Sequence, residues 1–263
     1  MITVSNINID AESGYLGNKM FMLANALAYA ARVGDEVILP EWEFQDTFRV
    51  NPRTSSNIDV QFVYQEPHFH YAAIPLAKGV NLLGYFQSEK YFYDIRDVIS
   101  NSLQPNPTIA KEIDENYGDI LTGETVGIHV RRGDYVKLQD HHPLVDLDYY
   151  RRAVAIFPNA ERFIIVSNDI AWCKEVFTGD RFVFSESVQE REQGNQSAAH
   201  DLFLFSRCTH QIICNSTFSW WGSYLNKNPT KRVIAPARWF GPVKEREGYS
   251  AHDIYLSSWT VLD

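Results

Sequence analysis

Positive charge is in short supply in this chain. Twenty-four Lys and Arg face 33 Asp and Glu, a formal charge of −9 over 263 residues. Nucleic-acid binders usually carry a basic footprint, so that class fits poorly. An anionic small molecule is not excluded, because a local basic pocket can sit in an acidic protein. Cysteine is also sparse. Cys173, Cys208 and Cys214 are an odd number within apolar segments, expected as buried reduced thiols of a cytoplasmic protein. No Cys/His spacing suggests zinc, so no metal site is expected. No apolar stretch approaches the length of a membrane span. The opening Met1-Ile2-Thr3-Val4 looks like the start of a strand rather than a signal peptide. Solenoid repeats and low-complexity tracts are missing too. What is present is ordinary for a soluble globular protein, 45% hydrophobic and 22% charged. The length allows one large α/β domain or two small ones.

The densest chemistry lies in Thr125 to Tyr135. The apolar lead-in Thr125 to Val130 predicts a buried strand. It delivers His129, Arg131, Arg132 and Asp134 to the strand's end, where Gly133 is expected to let the chain turn sharply. Ligands of open α/β sheets bind beyond the carboxyl ends of the strands. A guanidinium fork there matches phosphate bidentately, which makes a diphosphate the natural guest. The competing reading pairs both arginines with carboxylates of the fold. Strand alternation points them to opposite faces, so one of them is expected to be structural.

Along the chain, a polar-interrupted strand over 1–9 is followed by a loop containing Gly14, Gly17 and Asn18. A helix from about Met20 to Ala31 comes next, ended by Gly34, then a strand over 37–40. Residues 41–79 read as loop-rich and aromatic, and 80–84 as a strand. Helices follow near 93–103 and 108–117. The half-boundary is expected within 119–124. In the second half, strands at 162–167, 181–184, 210–214 and 233–236 alternate with helices at 147–157, 170–177, 198–208 and beyond 215, with an exposed polar stretch over 180–196. That alternation predicts α/β architecture, two Rossmann-like domains with parallel sheets facing across a cleft, spanning 1–120 and 121–263.

Two further strand ends carry suitable polar groups. In Ser167-Asn168-Asp169 the carboxylate could accept from the N–H groups of a purine edge, or serve as a helix N-cap. In Asn215-Ser216-Thr217-Phe218-Ser219 hydroxyls and backbone N–H groups cluster at a helix start, an anion site with more polar groups than a cap requires. Trp220 and Trp221 read as core. Asn18 reads either as a ligand-facing residue or as an N-cap.

The run His129-Val130-Arg131-Arg132-Gly133-Asp134-Tyr135 resembles the histidine–x–arginine–arginine motif of α1,2-, α1,6- and protein O-fucosyltransferases. Gly14 to Phe21, Gly84 to Tyr91, Phe163 to Cys173 and Ile213 to Trp221 resemble stretches of the bacterial α1,2-fucosyltransferases, in family order. Lys19 stands where glutamine is usual, Tyr15 where glycine is, and Asn168 where aspartate is frequent. The resemblance implies a GT-B fold, GDP-fucose as donor, no metal or other cofactor, and inversion at the fucose anomeric carbon. It implies Arg131 on the β-phosphate, His129 and Arg132 beside the nucleotide, and Asn168 and Asp169 near guanine and ribose. Ser216, Thr217, Phe218 and Ser219 would line the pyrophosphate. Residues 1–120 would form the acceptor side, with Gly17, Asn18 and the Tyr85–Tyr91 loop near the reacting sugar.

The expected activity is transfer of fucose to the 2-hydroxyl of a galactose-type acceptor in a surface glycan, in the cytoplasm and with room for peripheral association with the inner membrane face. Alternatives are another GDP-linked deoxyhexose such as colitose, or a non-catalytic glycan- or nucleotide-binding protein. The acceptor hydroxyl must lose its proton, so a carboxylate or imidazole is sought. Asp134, Asp140 and His142 are candidates, with Asp134 favoured as the carboxylate orienting an arginine. The departing diphosphate is a further proton acceptor.

Overall fold

The computed structural model describes residues 1–8, 15–185 and 194–263. The chain divides into two compact units, Met1–Asn106 with Gly248–Ile254, and Pro107–Glu247 with Tyr255–Asp263.

The first unit holds β1 (Ile2–Thr3), α1 (Leu16–Val33), β2 (Ile38–Leu39), β3 (Arg53–Thr54), β4 (Phe62–Gln65), β5 (Val80–Leu83) and α2 (Arg96–Ser102). β1, β5 and β4 form a parallel sheet in that order, β2 pairs with β3, and an Ile2–Val37 bridge links β1 to the β2 strand. α1 buries Met20, Phe21, Leu23, Ala24 and Ala28 at the predicted helical spacing. Gly34 closes it in the left-handed conformation (φ 62°), its N–H donating to Ala30 O. The helix begins earlier than expected. Gly17 and Asn18 lie in its first turn rather than in a loop, and Tyr15, not Asn18, holds the N-cap position. Gly14 falls outside the described residues.

The second unit holds α3 (Pro107–Tyr117), β6 (Thr125–Val130), α4 (Leu147–Ala155), β7 (Arg162–Ser167), α5 (Ile170–Val176), β8 (Phe182–Phe184), α6 (Gly194–Arg207), β9 (His210–Ile212), α7 (Thr217–Leu225), β10 (Val233–Pro236), α8 (Pro242–Arg246) and β11 (Thr260–Leu262). Its six strands are all parallel, in the order β11-β10-β9-β6-β7-β8. β6 is buried along its whole length, as a strand covered on both faces must be. Gly127 lets α6 approach that strand, since a Cβ there would lie 2.7 Å from the Phe205 ring. Gly222 of α7 meets the same ring, where a Cβ would lie 2.4 Å away. One phenyl ring therefore fixes α6 against both the central strand and α7.

The division differs from the expected break near residue 120. α3 is held to α6 by the Glu112–His200 contact and the Asp114–Arg207 ion pair, and so belongs with the second unit. All three cysteines are buried and free, as expected. Of the expected exposed stretch over 180–196, residues 186–193 lie outside the described residues. Among the described residues no helix is long and apolar enough to cross a membrane, and no group of three His, Cys, Asp or Glu could hold a metal ion.

Candidate functional site

In the second unit's sheet, β7 and β8 extend from β6 to one side and β9, β10 and β11 to the other. The loops leaving β6 and β9 therefore diverge at adjoining strand ends, which is where a doubly wound sheet opens a crevice. The loop after β6 carries Arg131 to Tyr135, and the segment after β9 opens α7.

Arg131 turns back onto its own loop. Its guanidinium lies 2.7 Å from Asp134 Oδ1 and 5.6 Å from the Tyr135 ring centre. Tyr135 stacks on His142 at 4.9 Å and 15°. Its hydroxyl donates to the carbonyl of Asn215 at 3.3 Å, tying the two loops together. Arg131, Tyr135 and His142 thus form a layered cluster with Asp134 at its edge. Burial, reinforced by Lys244, lowers the His142 pKa against the pull of Asp134. Its imidazole is neutral near neutral pH and able to accept a proton. Asp140 is exposed. It is held by its backbone, whose carbonyl accepts from Val243 N at 2.9 Å. Gly241 permits that approach, since a Cβ there would lie 2.4 Å from the same oxygen.

Arg132, like Arg131, is paired with a carboxylate, the arrangement the competing reading expected of both. Its Nε lies 3.1 Å from Asp169 Oδ2, and its guanidinium sits 4.0 Å from the Trp172 ring centre. Its backbone N–H donates to Asn168 Oδ1 at 3.0 Å. Asp169 also caps α5 by accepting from Trp172 N at 3.2 Å, so the capping reading describes it here. The reason for Gly133 differs from the expected one. Its φ is not in the left-handed region, but a Cβ would lie 2.2 Å from Asn168 Nδ2. Glycine here leaves room for the Asn168 amide rather than serving a left-handed turn.

His129 is buried, 5% exposed, with Nδ1 3.2 Å from Cys214 Sγ and its ring 4.7 Å from Phe218. Burial, aided by the Arg131 charge, pushes its pKa down to about 3, so it is a neutral ring and not a third cation. Cys214 is pushed up to about 12 by burial and stays a thiol. Ser216 occupies the α7 N-cap position without a side-chain cap bond. Ser216, Thr217 and Phe218 are half-buried at that helix start. Ser219 points inward, fully buried, donating to Cys214 O at 3.2 Å and Ser216 O at 3.1 Å. That corrects its expected place on an anion. Trp220 and Trp221 are core.

Gly17 and Asn18 lie in the first unit. Asn18 Oδ1 accepts from Gln87 Nε2 at 3.0 Å, which joins two of the stretches that the sequence put forward. Lys19 is buried against Glu43 at 2.5 Å. Sequence reasoning gave no role to Tyr135, Trp172 or Phe205. Tyr135 and Trp172 lay inside motif stretches already singled out, whereas nothing local distinguishes Phe205 from other core aromatics.

The profile of the family described as Glycosyl transferase family 11 matches residues 58–263. The O-antigen biosynthesis glycosyltransferase WbnK of Escherichia coli is 30% identical over 199 residues, 72% of this chain and 63% of that one. The alpha-1,2-colitosyltransferase of Escherichia coli is 31% identical over 193 residues, covering 70% and 63%. Human galactoside alpha-(1,2)-fucosyltransferase 1 is 29% identical over 241 residues, covering 81% and 64%. The chain spans a little under two thirds of the length of these relatives. Among solved structures, fucosyltransferase NodZ from Bradyrhizobium superposes with a TM-score of 0.57 at 15% identity, over 84% of this chain and 92% of that one. At that identity the likeness bears on fold, and the expected α/β class of GT-B type holds.

Proposed function

Since the chain belongs to glycosyl transferase family 11, we propose that it transfers L-fucose from GDP-β-L-fucose, with inversion, to the 2-hydroxyl of a galactose-type acceptor in a surface glycan. The observation that carries this reading is the pairing of the Arg131 cluster with the uncapped start of α7, at adjoining ends of β6 and β9. A helix start attracts anions, and a guanidinium meets phosphate oxygens in pairs. Departure of GDP leaves negative charge on the diphosphate. Fixed donors aimed at that charge lower the barrier, and no metal ion is required for that task. Arg131 would hold the β-phosphate, with Asp134 orienting it. His129 would act as a neutral wall of the nucleotide site rather than as a charge.

The acceptor proton passes to His142, to Asp140 or to the leaving diphosphate. His142 is favoured by its stacking in the Arg131 layer and its neutral ring. We place the reaction in the cytoplasm, with peripheral association at the inner membrane face compatible with it. A second reading is transfer of another GDP-linked deoxyhexose, which the colitosyltransferase relative favours. The test is GDP release from GDP-fucose and GDP-colitose, with and without lactose. Acceptor-stimulated release from GDP-fucose supports the first reading, and from GDP-colitose alone the second. Binding without stimulated release would leave a non-catalytic protein.

A further inference from the structure

In the second unit's sheet, β9 lies between β6 and β10, and Asn215, just beyond its end, binds the segments that follow both neighbours. The side chain is buried, 2% exposed. Its Nδ2 donates to Pro143 O, in the loop after β6, and to Trp239 O, in the segment after β10, both at 3.0 Å. The Asn215 carbonyl accepts from the Tyr135 hydroxyl at 3.3 Å. Both amide hydrogens are therefore spent on carbonyls. That fixes the amide's direction, because exchanging Nδ2 and Oδ1 would set an oxygen against two carbonyl oxygens. Oδ1 is then left buried and meets no hydrogen-bond donor among the described residues. A buried acceptor without a partner costs free energy. The amide is thus placed for its two N–H bonds, which tie three strand ends together.

What those bonds hold is the layer that carries Arg131. Tyr135 and His142 are stacked at 4.9 Å and 15°, and the Arg131 guanidinium sits 5.6 Å from the Tyr135 ring centre. Asn215 grips this stack at both members, through the Tyr135 hydroxyl and through the carbonyl of Pro143, the residue after His142. The next residue along the chain, Ser216, holds the N-cap position of α7. One side chain and its own peptide thus set the spacing between the Arg131 layer and the helix start. Those are the two groups assigned above to one diphosphate, and bidentate contact of a guanidinium with phosphate is geometrically demanding.

We infer that Asn215 is a positioning residue for the diphosphate, acting through the Tyr135–His142 stack and the start of α7; the inference rests on the GDP-sugar reading above. The experiment measures GDP affinity by calorimetry and guanosine affinity by ligand-observed NMR on the same folded proteins. Asn215→Leu nearly keeps the volume, removes both N–H bonds and also removes the orphaned oxygen. It should weaken GDP roughly tenfold or more, the scale of two hydrogen bonds lost, and leave guanosine at its wild-type affinity. A residue that served the fold alone would move both ligands or neither. Tyr135→Phe cuts the other tie while leaving the ring stack, and should weaken GDP roughly fivefold with guanosine again unchanged. Unchanged GDP affinity in folded Asn215→Leu overturns the inference, and so does equal weakening of GDP and guanosine. If Asn215→Leu does not fold, Tyr135→Phe decides by the same criteria. A wild-type protein that binds no GDP defeats the underlying reading and the inference with it, a result seen before any variant is made and so distinct from these.

Discussion

Gly133→Ala is the substitution whose consequence follows most directly from the geometry. The new methyl would sit 2.2 Å from the Asn168 amide nitrogen, so that amide must retreat by about 1 Å to reach ordinary contact. Asn168 is a flexible side chain and can retreat, but the same amide accepts from Arg132 N. Losing that bond costs about 1 kcal/mol, which lowers the unfolding midpoint by roughly 2–4 °C in a chain of this size. The catalytic effect should be larger. Arg131 and Asp134 flank the same turn, and a displacement of about 1 Å at a positioning group can cost on the order of a hundredfold in turnover. Thermal unfolding, together with kcat for GDP release in the presence of lactose, reads both effects. The companion variant Gly133→Ala/Asn168→Ser removes the collision and should recover kcat to the level of Asn168→Ser alone, a non-additivity expected of touching residues. A folded Gly133→Ala protein with wild-type kcat and unfolding temperature would refute the reasoning.

Arg131→Ala should cost roughly a hundredfold or more in turnover, as loss of one preorganised donor does; near-wild-type transfer by the folded variant removes Arg131 from the donor site. The pH–rate profile of His142→Gln should lose its acidic limb while Asp140→Asn keeps it; unchanged turnover in both leaves the proton to the diphosphate. The His129 pKa is depressed from 6.5 to about 3, so between those values the unfolded chain binds a proton that the folded chain refuses. Stability is therefore full above the unfolded pKa and falls as pH drops through that window. Denaturant midpoints at pH 7 and about pH 4.5 should differ more for wild type than for His129→Asn, and equal differences would sink the assignment.

The sequence was most legible where one segment decides its own fate. β6 and β7 run from Thr125 to Val130 and from Arg162 to Ser167, at the predicted bounds. A strand buried on both faces leaves a continuous apolar run. β4 was missed because it is an edge strand with Phe62 and Val63 exposed, so no alternation marks it. β11 was missed for a similar reason, lying at the other sheet's edge with Thr260 and Val261 exposed.

At the site, the residue types were readable but their partners were not. Nothing in Arg131-Arg132-Gly133 reveals that Asn168 comes within hydrogen-bond reach of Arg132, 36 residues away in sequence. The inward turn of Ser219 depends on the Cys214 and Ser216 carbonyls, each of which also accepts from a backbone N–H.

The path of the C-terminal segment bears on how the protein can be dissected. Residues 248–254 pack with the first unit and 255–263 with the second. No single scission of the chain can therefore release either unit whole. A protein ended at Glu247 would take Asp253 from its place between Tyr71 N and the Lys90 ammonium and strip β11 from beside β10, injuring both units with one cut. A fragment carrying the six-stranded sheet intact would need β11 joined on by a shortened linker in place of residues 248–254.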